Sequence, residues 1–266
     1  MVAMLTGLKQ ALDSRLPGGC HGYAETHARS LQGRRGRPRS HQARRGGSHR
    51  HYLHAQQREG TRVAKGVRKT KSRFGGRLEP FTLVDLMFYR GRSLDTITAA
   101  SVIESFSAVR DDYAAYTAAC ALADVVDKMS EEREHAFQTY SLLLAGLQAL
   151  SHGQIETTVP AFMVKLLSVS GYHPSLMVCA GCGDGGDLVG FGPQLGGAVC
   201  ATCRYEDESA FKLGPDRLKL LAHLLACDFG ASAERQATID VTHALRRYAE
   251  YHLERPLRSL GLLATT

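Results

Sequence analysis

Cys179-Ala-Gly-Cys182 and Cys200-Ala-Thr-Cys203 stand seventeen residues apart, and no other feature restricts the fold of this 266-residue chain as tightly. A two-residue gap lets a tight turn aim both sulfurs at one point. Two such pairs about 15–20 residues apart can complete a tetrahedron around a zinc ion, with Zn–S near 2.3 Å. Gly181, Gly183, Gly185 and Gly186 make the necessary reversals sterically cheap. Four thiolates leave no open coordination position, so an ion held by Cys179, Cys182, Cys200 and Cys203 is structural and not a Lewis acid. Binding of this kind is worth roughly 10–16 kcal/mol in small peptides, enough to hold a segment poor in apolar residues. The alternatives for the same residues are four reduced thiols or two disulfides. Of the other cysteines, Cys120 and Cys227 fall in apolar helical surroundings and read as core, whereas Cys20 sits in unpatterned sequence.

Seven cysteines, an odd number with four in CxxC pairs, suit a reducing cytoplasm with a metal better than a secreted disulfide framework. No stretch approaches the roughly 20 uninterrupted apolar residues that span a bilayer. The start, MVAMLTGLKQALDSRLPGG, lacks a basic segment before a long apolar run, so no secretory signal is expected. Membrane-spanning, collagenous and secreted mini-protein classes are excluded on these grounds.

The formal charge of +7 hides a division along the chain. Residues 1–77 hold 18 Lys and Arg against three Asp and Glu, whereas residues 78–266 hold 15 against 23. A basic end on an acidic body suggests a nucleic-acid-facing front. Its centre is residues 62–77, where Arg62, Lys65, Arg68, Lys69, Lys71, Arg73 and Arg77 occur with no acid among them. Lys and Arg gain phosphate contacts by releasing condensed counterions, and Phe74, embedded among them, can stack on an unpaired base. The bland alternative is a solvated loop whose charge only aids solubility.

Residues 29–60 are dominated by Arg, Gly, His, Ser and Gln with no period, and no packed structure is expected there. Phe81 to Tyr89 alternate with apolar groups on both sides, which predicts a strand covered on both faces. After Ser107 the pattern turns helical. Helices are predicted over Tyr113–Met129 and Glu134–Leu150, then from Pro160 to Val169, from Pro215 through Leu225, and over Ile239–Glu254. The Cys-rich segment interrupts this helical body.

No phosphate-loop, HExxH or GxSxG pattern occurs, and the twelve His are scattered, with solvated or capping roles expected. Glu131, Glu132 and Glu134 read as helix N-terminal charge, and Glu206, Asp207 and Glu208 are given the same reading. The chain is not expected to be an enzyme.

Taken together, AKGVRKTKSRFGGRLEPF at 64–81, LVDLMFYRGRSLDTIT at 83–98, the CxxC pairs and YHLERPLRSL at 251–260 resemble the RecO family of bacterial recombination mediators. The likeness covers about residues 61–266. It implies an α+β protein: an N-terminal OB-fold-like β-barrel, then an α-helical domain with an inserted four-Cys zinc segment at 179–203. The domains are then 1–60 as an aberrant, disordered Arg/Gly/His-rich segment, 61–106 as the remainder of the OB-fold-like DNA-binding domain, and 107–266 as the helical domain. The family binds single- and double-stranded DNA and anneals complementary strands. With RecR it loads RecA onto DNA coated by single-strand-binding protein, whose acidic-hydrophobic tail it docks. By carry-over the four cysteines hold the metal, and the basic residues of 62–77 meet phosphates, with Phe74 as the stacking residue. Location is expected to be cytoplasmic, at the nucleoid. The competing reading is a zinc-stapled protein–protein scaffold with little DNA affinity.

One departure stands out. Such chains begin with alternating apolar strands that build the first half of the barrel, and residues 1–60 show none. An Arg/Gly/His tract cannot replace them without loss of barrel closure. The barrel is therefore expected to be incomplete or aberrant, with a frame-shifted or misassigned start upstream of about Gly60 to Arg62.

Overall fold

The computed structural model describes residues 3–4, 47–52, 60–65, 75–89, 96–129, 136–227, 229–257 and 259–260. The chain separates into two compact units, Met1–Asp112 and Tyr113–Thr266.

In the first unit, strands β1 (Ala3–Met4), β2 (Gly47–Tyr52), β3 (Gly60–Lys65), β4 (Thr82–Tyr89) and β5 (Thr96–Glu104) form one sheet in the order β1-β4-β5-β3-β2. Antiparallel β4 and β5 are its centre, with Val84 opposite Val102 and Leu86 opposite Ala100. Among the described residues the sheet is open, because its edge strands β1 and β2 do not pair with each other. Strand β2 lies inside the tract expected to be structureless. It runs antiparallel to β3, with Arg50 opposite Arg62. Ladder bonds join backbone groups, so a strand can form where side chains carry no apolar alternation.

The alternation in β4 is also resolved differently from expectation. Thr82, Leu83, Val84 and Leu86 are buried, but Asp85 is exposed and Met87 is 65% exposed. Only Thr82 to Val84 are covered on both faces; from Asp85 one face opens, and its carboxylate would lose hydration if that face were covered too. Arg110 in helix α1 (Ser107–Asp111) fastens the start of β4. It donates to the carbonyls of Pro80, at 3.2 Å, and Ser105, and it pairs with Glu79 at 3.4 Å.

The second unit holds helices α2 (Tyr113–Met129), α3 (Ala136–Ser151), α4 (Ile155–Val169), α5 (Pro215–Ala226) and α6 (Arg235–Leu253). Helices α2 and α4 bury residues around nearly their whole circumference, as interior helices do. The most enclosed side chains include Phe162, Leu122 and Leu143. Helix α6 is amphipathic, burying Ala237, Val241, Ala244, Leu245, Tyr248 and Ala249 at helical spacing.

Helix α4 starts at Ile155, so Pro160 lies in its interior and does not open it. Proline removes one helical hydrogen bond and normally costs about 3 kcal/mol inside a helix. Here Val159, Pro160, Ala161, Phe162, Met163 and Val164 form an unbroken buried run that offsets that penalty. Helix α6 likewise begins four residues before the predicted Ile239. Pro215 does open α5, as expected. The segment after α6 returns to the first helix of this unit. Ser259 donates to the buried Asp124 carboxylate through its hydroxyl and, at 3.4 Å, its backbone N–H. Among the described residues no helix is long and apolar enough to cross a membrane.

Truncating the fully enclosed Phe162 to Ala should destabilise the protein by about 3–5 kcal/mol, by transfer loss plus the cavity left in α4. Urea unfolding followed by far-ultraviolet circular dichroism measures this, and a change under about 1 kcal/mol would contradict the placement of Phe162.

Candidate metal centre

Each CxxC pair is held by its own backbone. In the first, Gly183 N–H donates to Cys179 O at 2.8 Å, and Cys179 N–H donates to Asp184 O at 2.7 Å. The turn closes at Gly183 with φ +77°, a conformation open to glycine at little cost. The second pair sits at the end of a hairpin. Strands β6 (Leu188–Gly192) and β7 (Gly197–Cys200) pair antiparallel and deliver Cys200, and a 3-10 turn at Cys203–Tyr205 follows. Ala180 N–H donates to Ala198 O at 2.8 Å, laying the first turn against the hairpin. Gly181 permits this approach, because a Cβ there would lie 2.9 Å from both Cβ and Sγ of Cys203.

The result is that Sγ atoms of Cys179, Cys182, Cys200 and Cys203 all lie within 4.8 Å of one another. Cys182 and Cys200 are 3.9 Å apart. A tetrahedron with metal–sulfur bonds of 2.3 Å has edges of about 3.8 Å, so the cage fits one such ion. Backbone N–H groups already point at the sulfurs: Cys200 N–H donates to Cys179 Sγ at 3.3 Å, and Cys203 N–H to Cys200 Sγ at 3.5 Å. Burial pushes the Cys179 thiol up, but backbone N–H groups of Cys182, Cys200 and Gly181 overcome it and bring the thiol down to about 6. Burial, followed by hydrogen bonds from the other three sulfurs, drives Cys203 strongly upward. One anion is therefore easy to form and further ones are not, until a cation compensates them. Four sulfur donors suit a soft or borderline metal. They would hold it without an open position, so its contribution is to fix the chain.

The cage is fastened to the helical body by aromatic contacts. Strand β8 (Phe211–Lys212) extends the hairpin sheet, with Phe191 opposite Phe211. Phe191 is fully buried and meets Tyr248 of α6 edge-on at 5.3 Å. His252 is not a solvated histidine: it lies among Tyr172, Tyr248 and Tyr251 at 4.5–5.3 Å, and burial holds its imidazole below the usual range.

Asp207 overturns another expectation. It is buried, and its carboxylate accepts from Leu195 N–H at 3.1 Å and from Ser209 N–H at 2.7 Å. It ties the hairpin tip to the exit of the cage, which free helix-terminal charge would not do. The Asp-x-Ser spacing, typical of a side chain that bonds the backbone two residues on, was the signal available in the sequence. Cys227 is half-buried beside His223, at 3.3 Å from its Nδ1, and does not sit in the core; Cys120 does.

The basic front is less completely described. Arg62 and Lys65 lie on β3, and Arg77 lies exposed in the 3-10 turn Gly75–Leu78. Arg68, Lys69, Lys71, Arg73 and Phe74 lie outside the described residues, as do Cys20 and Glu131, Glu132 and Glu134.

The fold and site define a class: an α+β protein with a small sheet, open among the described residues, in one unit and, in a helical unit, a cluster of four cysteines spaced to hold a metal. Residues 59–106 match the family described as Recombination protein O N terminal, and residues 110–261 match Recombination protein O C terminal. The DNA repair protein RecO of Frankia casuarinae is 39% identical over 207 residues, 76% of this chain and 84% of that protein. That of Nocardioides sp. is 39% identical over 208 residues, 75% and 84% of the two chains. That of Thermobifida fusca is 38% identical over 208 residues, 76% and 84%. The chain belongs to the RecO family of DNA repair and recombination proteins.

Metal analysis of the purified full chain should find about one ion per chain, and Cys179→Ser should lower that well below stoichiometry and loosen the 175–212 segment to proteolysis. A metal-free wild type that resists proteolysis equally well would refute a structural metal.

Proposed function

We propose that this protein is a non-catalytic recombination mediator whose clasp holds zinc. It binds single- and double-stranded DNA and promotes annealing of complementary strands. With RecR it loads RecA onto DNA coated by single-strand-binding protein, whose tail it docks. The open sheet of the first unit is the remnant of an OB-fold-like DNA-binding domain, and the protein works in the cytoplasm at the nucleoid.

One observation carries this reading. The N-terminal family match, residues 59–106, contains Arg62, Lys65, Arg68, Lys69, Lys71, Arg73, Phe74 and Arg77, the whole set read from the sequence as a DNA-binding segment. Their role is to replace condensed cations along the phosphate chain, which gives affinity without base preference. Zinc is favoured for the clasp because four thiolates at tetrahedral spacing are its usual structural set. A closed sulfur cage offers no site for an activated water, in keeping with a non-catalytic role.

Replacing Arg68, Lys69 and Lys71 with Glu should weaken binding to a labelled oligonucleotide on every sequence tested. It should also flatten the dependence of log affinity on log salt by about 2, at roughly 0.7 for each single-strand phosphate that is no longer neutralised. Fluorescence anisotropy across a salt series reads both. Unchanged affinity and slope would remove the segment from the DNA interface and favour a zinc-stapled protein scaffold.

A further inference from the structure

A second basic site lies on the helical unit. The lining of a cleft of about 390 Å³ includes Lys212, Arg217, Asp240, His243 and Arg247, with Phe211, Leu213 and Ala244 as its apolar part. These residues come from β8, the start of α5 and the middle of α6.

The cations are prepositioned. The Arg247 guanidinium lies 4.0 Å over the Phe211 ring and donates to Ser209 O at 3.1 Å. Both interactions fix its direction, and neither neutralises its charge. Arg217 is held by Asp240 through one nitrogen, Nε, at 3.0 Å. Lys212 and His243 are exposed, and Lys212 forms no ion pair among the described residues. Three cations thus face one lining carboxylate.

This concentration runs against the background. Residues 113–266 hold 12 Lys and Arg against 17 Asp and Glu, so the unit as a whole repels polyanions. Cations gathered into one cleft repel one another, and an anionic ligand removes that repulsion. Phe211 cannot offer its covered face to a base, because Arg247 occupies it. The cleft therefore suits a ligand read by charge and not by base stacking.

We infer that this cleft is a second docking point for the phosphodiester backbone of DNA, with Lys212, Arg217 and Arg247 as its phosphate partners. The inference rests on the DNA-binding role proposed above, and it adds a site outside the N-terminal segment. An acidic polypeptide is the competing ligand that the same charges would accept.

The test uses the full chain and labelled oligothymidylate across a salt series. Lys212→Gln/Arg247→Gln should weaken binding at low salt and flatten the log–log salt slope by about 1.4, two phosphates at roughly 0.7 each. Bound metal and the far-ultraviolet circular dichroism spectrum should be unchanged, and the charge-keeping Lys212→Arg/Arg247→Lys should retain the slope. The Arg68/Lys69/Lys71 variant separates the two readings. If it flattens the slope while the cleft variant does not, the cleft assignment falls and the N-terminal segment stands. If the unmodified chain shows no salt-dependent binding, both fall. A cleft variant that keeps its DNA slope but loses affinity for labelled polyglutamate also overturns the proposal, in favour of an acidic protein partner.

Discussion

Four sulfurs within 4.8 Å of one another cannot all ionise unless a cation sits among them. The four sulfurs stand at the centre of the segment between Leu176 and Leu213. The hairpin of β6 and β7 has five- and four-residue strands, and the hydrophobic cluster at the sulfurs is Cys179, Val199 and Cys203, edged by Leu188, Leu195 and Cys200. A cluster of that size holds the two turns weakly by burial, and the larger apolar contact of the hairpin is Phe191 against Tyr248 and Phe211. Cys179 and Cys203 are themselves part of the buried core, so the cage and the packing share atoms, whereas Cys182 is exposed and Cys200 half-buried. Asp207 supplies the remaining fixation by accepting backbone N–H groups at the hairpin tip.

The helical body uses a different strategy. Helices α2 and α4 are interior elements, and α6 turns one apolar stripe inward. This leaves the other side of α6 free to carry charge, and its central turns present His243, Arg246 and Arg247. Phe191 against Tyr248 joins the four-cysteine segment to that same helix. One helix therefore serves the core and the clasp through its buried stripe, which includes Tyr248, and the charged cleft through its exposed side.

What the sequence made legible follows from how local each signal is. The CxxC spacing is a covalent constraint on sulfur positions, so the cage could be read from four residues. The span of α2, Tyr113–Met129, was readable because an Ala-rich run without breakers has few alternatives. Pro160 misled because its preference for the first helical turn is a local tendency, and the buried run around it is a tertiary effect. Strand β2 was invisible because backbone pairing leaves no apolar trace among Ser48, His49, Arg50 and His51. The exposure of Asp85 and Met87 escaped prediction because alternation gives the two sides of a strand but not which neighbours lie above them. The cleft could not be foreseen: Lys212, Arg217 and Arg247 are separated by up to 35 positions, and only the packing of β8, α5 and α6 brings them together.

The lock between Ser259 and Asp124 joins residues 135 positions apart. During synthesis the chain emerges from its front, so α2 exists long before its final partner does. At about 5–20 residues per second the ribosome needs roughly 7–27 s to travel from one to the other. For that interval the Asp124 carboxylate lacks its Ser259 donors, and Leu257 and Leu260, both buried in the folded unit, have yet to be added. Closure of the helical unit thus waits until Ser259 has been made and has cleared the ribosome, and a nascent chain stalled before that residue is held in an unlatched form.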